Sequence, residues 1–511
     1  MKKILFINPK TIDLTVGIFS SNMVRMSKKK RLSMPNLAPM IFAALTPPSY
    51  EFTFIDDDYK DVDLNMNADL VAISAMTMQV NRAYEIADHF RKKGVTVVIG
   101  GIHASVLPDE TSQHCDATMI GQGENTWLEM LKDFEQGTLK KFYDTKDYPN
   151  IDYLISPKVD IINFDHYLMF PIQATRGCPH DCDFCSIKHT AGHVYRMKPV
   201  SQVIAEIKEY EKYNKRSVGG YKKHYFFVDE NIYVNRKYVK ELLSAMIELK
   251  ISWMAQGTVD AAYDEEMLEL MARSGCRQYA IGLESISDET LAEANKPKIN
   301  KTQSYGVAIK NLLRHGIIPA GYLIYGFDND DHNVFKRTVD FAINNHLIQP
   351  YFSTLTPYPG TRLYNRMKAE NRIFDKNWDH YNSLTPVHHP RQFSPVLLEE
   401  GIVWSSKQIA NFDVVKKQFD YFWSHGPWPQ LKTLTFKERL LLVLMAIKLR
   451  KHNKKYCDFL LWAARNKKTC DFGSIFAALF LHEAVMQSDK GEAFEELILE
   501  AEKNSVNDKP S

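Results

Sequence analysis

Apolar residues in the first 145 positions form short continuous runs that alternate with amphipathic segments. The apolar runs lie at 3–7, 52–56, 70–74, 95–101 and 117–121. The amphipathic segments lie at 81–94 and 124–137, and each ends on a glycine. Continuous apolar runs are typical of strands that are covered by helices on both faces, and a period near 3.6 is typical of helices. The pattern predicts a doubly wound α/β domain over residues 1–145.

A Rossmann-like domain of this kind binds its ligand beyond the carboxyl ends of its strands. Several small or polar residues follow those ends here: Ser74, Thr77, Gly100, Gly101, His103, Gly121, Gly123 and Glu124. The glycines allow a large flat or phosphate-bearing ligand to approach the backbone. On this evidence a nucleotide and another cofactor are equally good candidates.

A looser segment at 146–165 is interpreted as a linker, after which a second strand–helix series begins. Strands are predicted near 171–175, 224–229, 252–257, 278–283, 318–325 and 350–356. Helices are predicted between them, for example at 201–213, 236–249, 264–274 and 302–315. Six such units are fewer than the eight that close a full barrel, so residues 166–390 are predicted to form a partial (β/α)6 barrel.

Strand signals almost disappear in residues 391–511, which are predicted to form a helical C-terminal domain. Residues 432–468 contain eleven Lys or Arg against two acidic residues, and the apolar run 440–447 lies among them. Two interpretations stay open for this segment. It could be a helical cap whose apolar face packs on the barrel, or a basic amphipathic hairpin that lies on an anionic membrane surface.

Composition adds little beyond class and compartment. The chain of 511 residues is 45% apolar and 25% charged with a net charge of +2, which is ordinary for a multidomain globular protein. No export signal and no run of 18 apolar residues is found. The seven cysteines are an odd number and form a poor disulfide framework, which favours a reducing compartment. A cytoplasmic protein is expected.

The candidate chemistry lies in residues 176–185, RGCPHDCDFC, directly after the first strand of the second series. Cys178, Cys182 and Cys185 have the spacing C-x3-C-x2-C, and no fourth cysteine is nearby. Structural zinc is normally four-coordinate, so a zinc site would need a further ligand from His180, Asp181 or His189. Iron–sulfur cubanes usually have four cysteine ligands, and three would leave one iron open and reactive.

The cysteine spacing, with the aromatic Phe184 before the last cysteine, resembles the radical SAM superfamily. The resemblance implies that the three thiolates bind a [4Fe–4S] cluster whose fourth iron is chelated by S-adenosylmethionine. One-electron cleavage of the sulfonium would then yield a 5′-deoxyadenosyl radical that abstracts a hydrogen atom. The protein would supply binding, orientation and exclusion of water.

The later strand ends resemble the same superfamily in the expected order. The resemblance implies that Asp229 and Glu230 lie near the methionyl amine, and that Glu284 and Ser285 reach the ribose or the carboxylate. It also implies that Ile324 packs on adenine, and TPYPGTRLY at 356–364 is similar to a sixth-strand signature. Alone, Glu284 would be interpreted as a helix N-terminal acid. Four such strand ends in order favour the functional interpretation.

The α/β domain ahead of the cysteines resembles the cobalamin-binding class of radical SAM enzymes, and the resemblance covers about residues 1–385. The D-x-H-x-x-G signature, whose histidine coordinates cobalt, is absent from the sequence. Cobalamin is therefore implied by resemblance rather than by residues. The predicted cobalamin contacts are the strand-end residues given above, with His103 as a substitute cobalt ligand.

Within this class the commonest implied reaction is methylation of an unactivated carbon. The C-terminal region is similar to the extension of members that act on polyisoprenoid lipids, such as the hopanoid methylases, so a lipid or another small molecule is the expected substrate. Flavodoxin or ferredoxin is the expected electron donor, and 432–468 could contact the inner face of a membrane. The alternatives are a cyclase or rearrangement enzyme and a non-catalytic cobalamin or lipid sensor. A transfer-RNA methylthiotransferase would need more cysteines near the N-terminus, so no nucleic acid is expected.

Overall fold

The computed structural model describes residues 1–11, 32–145, 156–214, 224–296, 300–427, 434–450, 454–466, 482, 486, 488 and 490–507. Two six-stranded parallel sheets organise the first three quarters of the chain, and helices follow them. Both sheets carry their functional candidates at the carboxyl edge, where the loops after the strands meet.

The N-terminal sheet has the strand order β2-β1-β3-β4-β5-β6, with every neighbour parallel. Its strands are β1 (Lys2–Asn8), β2 (Tyr50–Asp56), β3 (Leu70–Ser74), β4 (Thr96–Gly100), β5 (Ala117–Ile120) and β6 (Phe142–Asp144). Its helices are α1 (Ala38–Leu45), α2 (Val80–Lys92), α3 (Ile102–Val106), α4 (Pro108–Thr111) and α5 (Trp127–Gln136). The predicted doubly wound domain is confirmed.

This sheet is buried on both faces. Val71 and Val97 pack with α2 on one face, whereas Leu70 and Val98 pack with α5 on the other. Such two-sided burial explains the continuous apolar runs in the sequence. The edge strand β6 and helix α1 were not predicted, because a three-residue strand and an eight-residue apolar helix give little periodic signal.

The second sheet has the order β14-β13-β12-β11-β10-β7, so its strands follow the chain one after another and remain open between β7 and β14. Its strands are β7 (Met169–Ile172), β10 (His224–Phe227), β11 (Trp253–Gly257), β12 (Cys276–Glu284), β13 (Ile318–Tyr325) and β14 (Gln349–Thr354). A short antiparallel pair, β8 (Thr175–Arg176) and β9 (Arg196–Met197), brackets the cysteine loop. The predicted partial barrel is confirmed.

Helices cover the outside of this barrel. They are α6 (Val200–Glu211), α7 (Arg236–Met246), α8 (Glu265–Ser274), α9 (Asp288–Glu293), α10 (Tyr305–Arg314), α11 (Val334–Asn344) and α12 (Arg362–Ala369). Asn235 and Asp264 accept hydrogen bonds from the first turns of α7 and α8, which fixes where those helices begin.

The C-terminal region is helical, as predicted. Its described helices are α13 (Pro395–Ala410), α14 (Phe412–His425), α15 (Phe436–Leu449), α16 (Lys454–Arg465) and α17 (Phe494–Asn507). Helix α13 packs on α11 and on the edge strand β14, so it covers one side of the open barrel. Helices α15 and α16 instead pack on each other and share a small core with α14. In the described part of the chain, no helix is long and apolar enough to cross a membrane.

The described half of the segment interpreted as a linker packs against the barrel. Val159 and Phe164 are almost fully buried in the same apolar cluster as the barrel strands. The other half, 146–155, lies outside the described residues. The domain boundaries themselves stay a prediction.

Candidate functional site

The cysteine loop begins where β8 ends and is held by the neighbouring strand. Gly177 adopts φ +97°, and a side chain at this position would collide with the backbone of Val194. Its N–H donates to Glu230 Oε2 at 3.0 Å, and the N–H of Cys178 donates to the Gly192 carbonyl at 3.1 Å. These contacts fix the start of the loop independently of any bound group.

The three thiols of the loop are near enough to influence one another's pKa, and they are buried or half-buried. Cys178, Cys182 and Cys185 are all reduced, and each is electrostatically coupled to another of the three. Burial raises the pKa of all three, that of Cys182 to about 11. Three soft donors at this spacing, each bound to a different iron, fit an iron–sulfur cluster.

Two of the three candidate zinc ligands, His189 and Asp181, are engaged elsewhere. His189 Nε2 donates to the Gly360 carbonyl at 2.8 Å, and the Asp181 carboxylate pairs with Arg362. Among the described residues, no three histidine, cysteine, aspartate or glutamate side chains converge on one ion. The zinc alternative therefore lacks a closed ligand set in that part of the chain.

Arg362 fastens the far side of the cysteine loop. Its Nε donates to Asp183 Oδ1 at 2.9 Å, and its remaining nitrogens reach the carboxylate and carbonyl of Asp181. The next residue, Leu363, donates its N–H to the Asp183 carbonyl at 3.1 Å. The segment TPYPGTRLY thus holds the cysteine loop in place through the planar guanidinium group of Arg362, which donates several hydrogen bonds to it.

Glu284 reaches the site through a distorted strand end. The pairing of β12 with β13 shifts register between Gly282 and Glu284, and Glu284 has φ +63°. A left-handed conformation is unfavourable for a residue with a side chain and persists only where surrounding contacts enforce it. Here the Gly282 carbonyl accepts from Asn300, and the Leu283 carbonyl accepts from Tyr305.

Lys296 is a buried cation beside this strand end, and no sequence motif marks it. Its Nζ lies 2.5 Å from Glu284 Oε1 and 6.0 Å from the centre of the Phe184 ring. Burial alone lowers the pKa of Lys296, but the carboxylate of Glu284 and the thiols of Cys182 and Cys185 together raise it. A positive charge therefore faces the cysteines and can balance an anionic cluster or a ligand carboxylate.

Asp229 and Glu230 have different surroundings. The Asp229 carboxylate is fully buried and accepts hydrogen bonds from the N–H groups of Ala174 and Thr175 and from the Thr175 hydroxyl. Burial raises the pKa of Asp229 to about 7. This carboxylate supports the strand that leads into the cysteine loop, and its predicted contact with S-adenosylmethionine stays a prediction. The Glu230 side chain, in contrast, lines an open cavity.

The Ser285 hydroxyl is also engaged in a hydrogen bond within its own loop. Its hydroxyl accepts from the N–H of Ser287 at 3.1 Å, and the residue is 4% exposed. Phe184 and Ile324 pack against the same small apolar cluster at the barrel mouth, together with Phe327. Ile324, predicted to pack on adenine, and Phe184, predicted to shield the cluster and pack against a ligand on its open iron, thus lie at the same apolar cluster.

A cavity of about 540 Å³ lies at the carboxyl edge of the N-terminal sheet, between that sheet and the barrel. The predicted residues that line it are Ser74, Gly100, Gly101, Gly121, Gly123 and Glu124. A Cβ atom at Gly123 would lie 2.8 Å from the Phe42 ring, so a residue other than glycine would push this ring out of its place in the cavity wall. Glycine-rich walls and a polar rim suit a broad flat ligand with a hydrogen-bonding periphery.

Several lining residues were missed from the sequence. Arg176 Nη1 donates to Glu124 Oε1 at 2.7 Å and so joins the barrel to the N-terminal domain across the cavity rim. Gln122 accepts from Arg176 and from Arg196. Met76 also lines the cavity and is 46% exposed. Their cross-domain partners are far apart in sequence, so no local pattern marks them.

Two of the residues predicted to contact cobalamin are buried here, and their contact with cobalamin stays a prediction. Thr77 is 4% exposed and His103 is 0% exposed, and neither lines the cavity. His103 Nε2 lies 3.2 Å from Glu110 Oε1, and its ring packs edge-on against Trp378. Trp378 and Tyr84 donate to the same carboxylate. His103 therefore belongs to a buried contact between the first domain and residues that follow the barrel.

Comparison with known proteins agrees with this geometry. Residues 172–342 match the Radical SAM superfamily, and residues 62–131 match the B12 binding domain. Bacteriochlorophyllide d C-8(2)-methyltransferase of Chlorobaculum tepidum is 30% identical over 426 residues, covering 82% of this chain and 91% of the relative. Bacteriochlorophyllide d C-12(1)-methyltransferase of the same organism is 32% identical over 395 residues, covering 76% of this chain and 85% of that relative.

A solved structure has the same fold. The cobalamin-dependent S-adenosylmethionine radical enzyme OxsB, with aqua-cobalamin and S-adenosylmethionine bound, aligns over 99% of this chain and 84% of its own. The TM-score is 0.62 at 14% identity.

The chain therefore belongs to the radical SAM superfamily, in the class that carries a B12 binding domain. It is a cobalamin-dependent radical SAM enzyme of the methyltransferase type, and its cofactors are a [4Fe–4S] cluster, S-adenosylmethionine and cobalamin. A small-molecule substrate and a redox partner fit an enzyme of this kind.

Proposed function

We propose that this enzyme methylates an unactivated carbon of an amphipathic small molecule, with both cofactor sites opening on one shared space. The observation that carries the proposal is the position of Glu230. Its carboxylate accepts from Gly177 in the cysteine loop, and its side chain lines the cavity of the N-terminal domain. Radical abstraction and methyl delivery at the same carbon require such adjacent sites.

The proposed residue roles follow from the contacts. Cys178, Cys182 and Cys185 hold the cluster, and Lys296 with Glu284 binds the charged end of S-adenosylmethionine. Phe184 and Ile324 face its adenine. Asp229, Ser285 and Arg362 position the surrounding loops. When bound, the cluster and S-adenosylmethionine supply a carbon radical, and cobalamin supplies the methyl group.

The cavity residues are proposed to hold cobalamin without a protein ligand to cobalt. The glycines at the ends of β4 and β5 admit the ring, and Gln122, Glu124 and Arg176 offer hydrogen bonds to amide side chains at its edge. His103 is buried away from this space, so it takes no part.

A tetrapyrrole related to bacteriochlorophyllide is the first candidate substrate, because the names of two relatives with 30% and 32% identity specify bacteriochlorophyllide d. A polyisoprenoid lipid is the second candidate and rests on the C-terminal extension. Flavodoxin or ferredoxin is the proposed electron donor. We further propose that the enzyme acts in the cytoplasm and that residues 432–468 bring it to the inner face of a membrane.

The first experiment tests the cluster. Anaerobically reconstituted protein is expected to contain iron and, once reduced, to cleave S-adenosylmethionine to 5′-deoxyadenosine, and Cys182→Ala is expected to abolish both. Cys115→Ala is the matched control. Cys115 is also a buried thiol, but it lies in the first domain, where it is hydrogen-bonded to Thr118. Unchanged iron and cleavage in Cys182→Ala would refute the proposal.

The second experiment tests the reaction. Incubation with bacteriochlorophyllide d and, separately, with a polyisoprenoid lipid is expected to give a product heavier by one methylene from one of them. A product of unchanged mass but altered connectivity would favour the cyclase or rearrangement alternative. A protein that binds cobalamin but never cleaves S-adenosylmethionine would favour the sensor.

A further inference from the structure

Helix α15 presents two apolar faces, and only one of them is covered. Leu442 and Ala446 are 0% exposed in the small core shared with α16. Phe436, Leu440, Leu444 and Ile447 are 78%, 49%, 54% and 64% exposed. These four residues, called the α15 stripe below, do not pack on the barrel, so the cap interpretation fails for this helix although it describes α13.

The four residues of the α15 stripe form one continuous surface along the helix. At about 100° per residue, its four side chains fall within an arc of roughly 80° and point away from the buried pair Leu442 and Ala446. Lys437 and Lys448 border the arc on one side and Arg450 on the other, and all three are exposed. The helix therefore carries an apolar strip between basic margins.

The surrounding charge is strongly positive. Residues 432–468 contain eleven Lys or Arg and two acidic residues. One of the acids, Glu438, is used by the N-terminal cap of α15, where its carboxylate accepts from the N–H and hydroxyl of Thr435. Little local negative charge remains to offset the basic margins.

We infer that the α15 stripe docks the enzyme on an anionic phospholipid bilayer, with α15 lying parallel to the surface. Apolar side chains enter the boundary of the acyl region, while long basic side chains reach the phosphate groups. With 14 residues the helix is about 21 Å long, too short for a hydrocarbon core of about 30 Å. Interfacial binding is thus the mode that its length permits.

A second copy of the chain fits the α15 stripe less well than an anionic bilayer does. Symmetric pairing through the α15 stripe would bring two sets of basic margins together, and like charges across an interface are unfavourable. An anionic surface offers the opposite charge. The inference rests on the proposed peripheral location but not on the proposed chemistry.

The test uses the full-length, cofactor-loaded protein and vesicles of phosphatidylcholine with or without phosphatidylglycerol. Wild-type protein is expected to float with the vesicles that contain phosphatidylglycerol. It is not expected to bind the vesicles of phosphatidylcholine alone. Leu440→Ser/Leu444→Ser/Ile447→Ser is expected to reduce the bound fraction by about tenfold or more, because three apolar side chains no longer leave water on binding. Val307→Ser/Leu499→Ser is the control, since these side chains are 53% and 56% exposed elsewhere.

A variant that lacks the basic margins tests the preference for anionic lipid, and hydrogen exchange identifies the segment that binds. Lys437→Gln/Lys448→Gln/Arg450→Gln is expected to lose the preference for phosphatidylglycerol. Amides of residues 436–449 are expected to exchange more slowly on anionic vesicles, with the barrel unchanged. S-adenosylmethionine cleavage in vesicle-free buffer should be the same in all variants, which separates failure of docking from failure of the enzyme.

Three outcomes would overturn the inference. The serine variant could float as well as wild type, or wild-type protein could remain unbound to anionic vesicles. Light scattering could also show a dimer that the serine variant converts to a monomer without any vesicle binding, which would assign the α15 stripe to self-association.

Discussion

Lys296 and Glu284 form an ion pair beside the three cysteines, with 2.5 Å between Nζ and Oε1 and only 10% of each side chain exposed. Glu284 holds this position in a left-handed backbone conformation, and Lys296 lies twelve residues further along the chain. A buried pair of this kind is costly to break because either partner alone is left as an uncompensated charge.

Lys296→Met and Glu284→Gln are therefore each expected to destabilise the fold by about 3 kcal/mol and to weaken S-adenosylmethionine binding. The double variant is expected to lose less stability than the sum of the two single losses. Urea unfolding and equilibrium dialysis of the reconstituted proteins measure the two effects. Additive losses would show that the pair is not coupled.

Arg362→Lys is expected to shorten the lifetime of the cluster. Lysine cannot reproduce the forked contact to Asp181 and Asp183, so the cysteine loop would lose its outer support. The rate of iron release to a chelator measures this effect. Arg391→Lys serves as the control because that arginine pairs with Asp328 and Glu370 and not with the loop. Equal iron release in the two variants would argue against the clamp.

Gly123→Val is expected to prevent cobalamin binding while leaving the iron content unchanged. The new side chain would collide with Phe42 and crowd Met119, and both of these residues line the cavity and would have to move. His103→Ala, in contrast, should bind cobalamin with an unaltered absorption spectrum, because His103 does not line the cavity. A spectral change in His103→Ala would restore the histidine as a cobalt ligand.

His388 is expected to make stability sensitive to acid. Burial lowers its pKa to about 4, partly opposed by a hydrogen bond to the Gly326 carbonyl. Because the unfolded chain binds a proton near pH 6.5 and the folded chain only near pH 4, about 3 kcal/mol of stability is present above pH 6.5 and lost as pH falls to 4.

Unfolding curves of His388→Gln are therefore expected to change less with pH than those of the wild type over this window. His389→Gln is the matched control, since His389 is the exposed neighbour. If both variants follow the wild-type pH dependence, burial of His388 does not contribute to acid sensitivity.

Local pattern was sufficient for the two sheets, apart from the short edge strand β6, and for the cysteine loop. The apolar runs at 70–74 and 318–325 became β3 and β13 at the same residues, because a strand buried by its neighbours must be apolar along its length. Pattern was insufficient for α15. Its run 440–447 is apolar almost throughout, so the sequence does not show that Leu442 is buried while Leu440 and Leu444 face solvent.

The site was predictable only where chemistry is carried by residues close in sequence. Phe184 and the cysteines share one short loop, whereas the partners of Arg176 and Arg362 lie on distant elements. Asp229 and Glu230 are adjacent in the segment after β10, yet the Asp229 carboxylate is buried against Ala174 and Thr175 whereas Glu230 lines the cavity.

The sequence by itself determined the order of the α/β units and the thiol trio, since periodicity and short spacing are properties of the chain. The tertiary structure decided which strand-end residues reach the cavity, which cation faces the cysteines and which side of α15 stays exposed. Those outcomes depend on the packing of elements from different domains, and packing is a relation between residues that no local stretch of sequence contains.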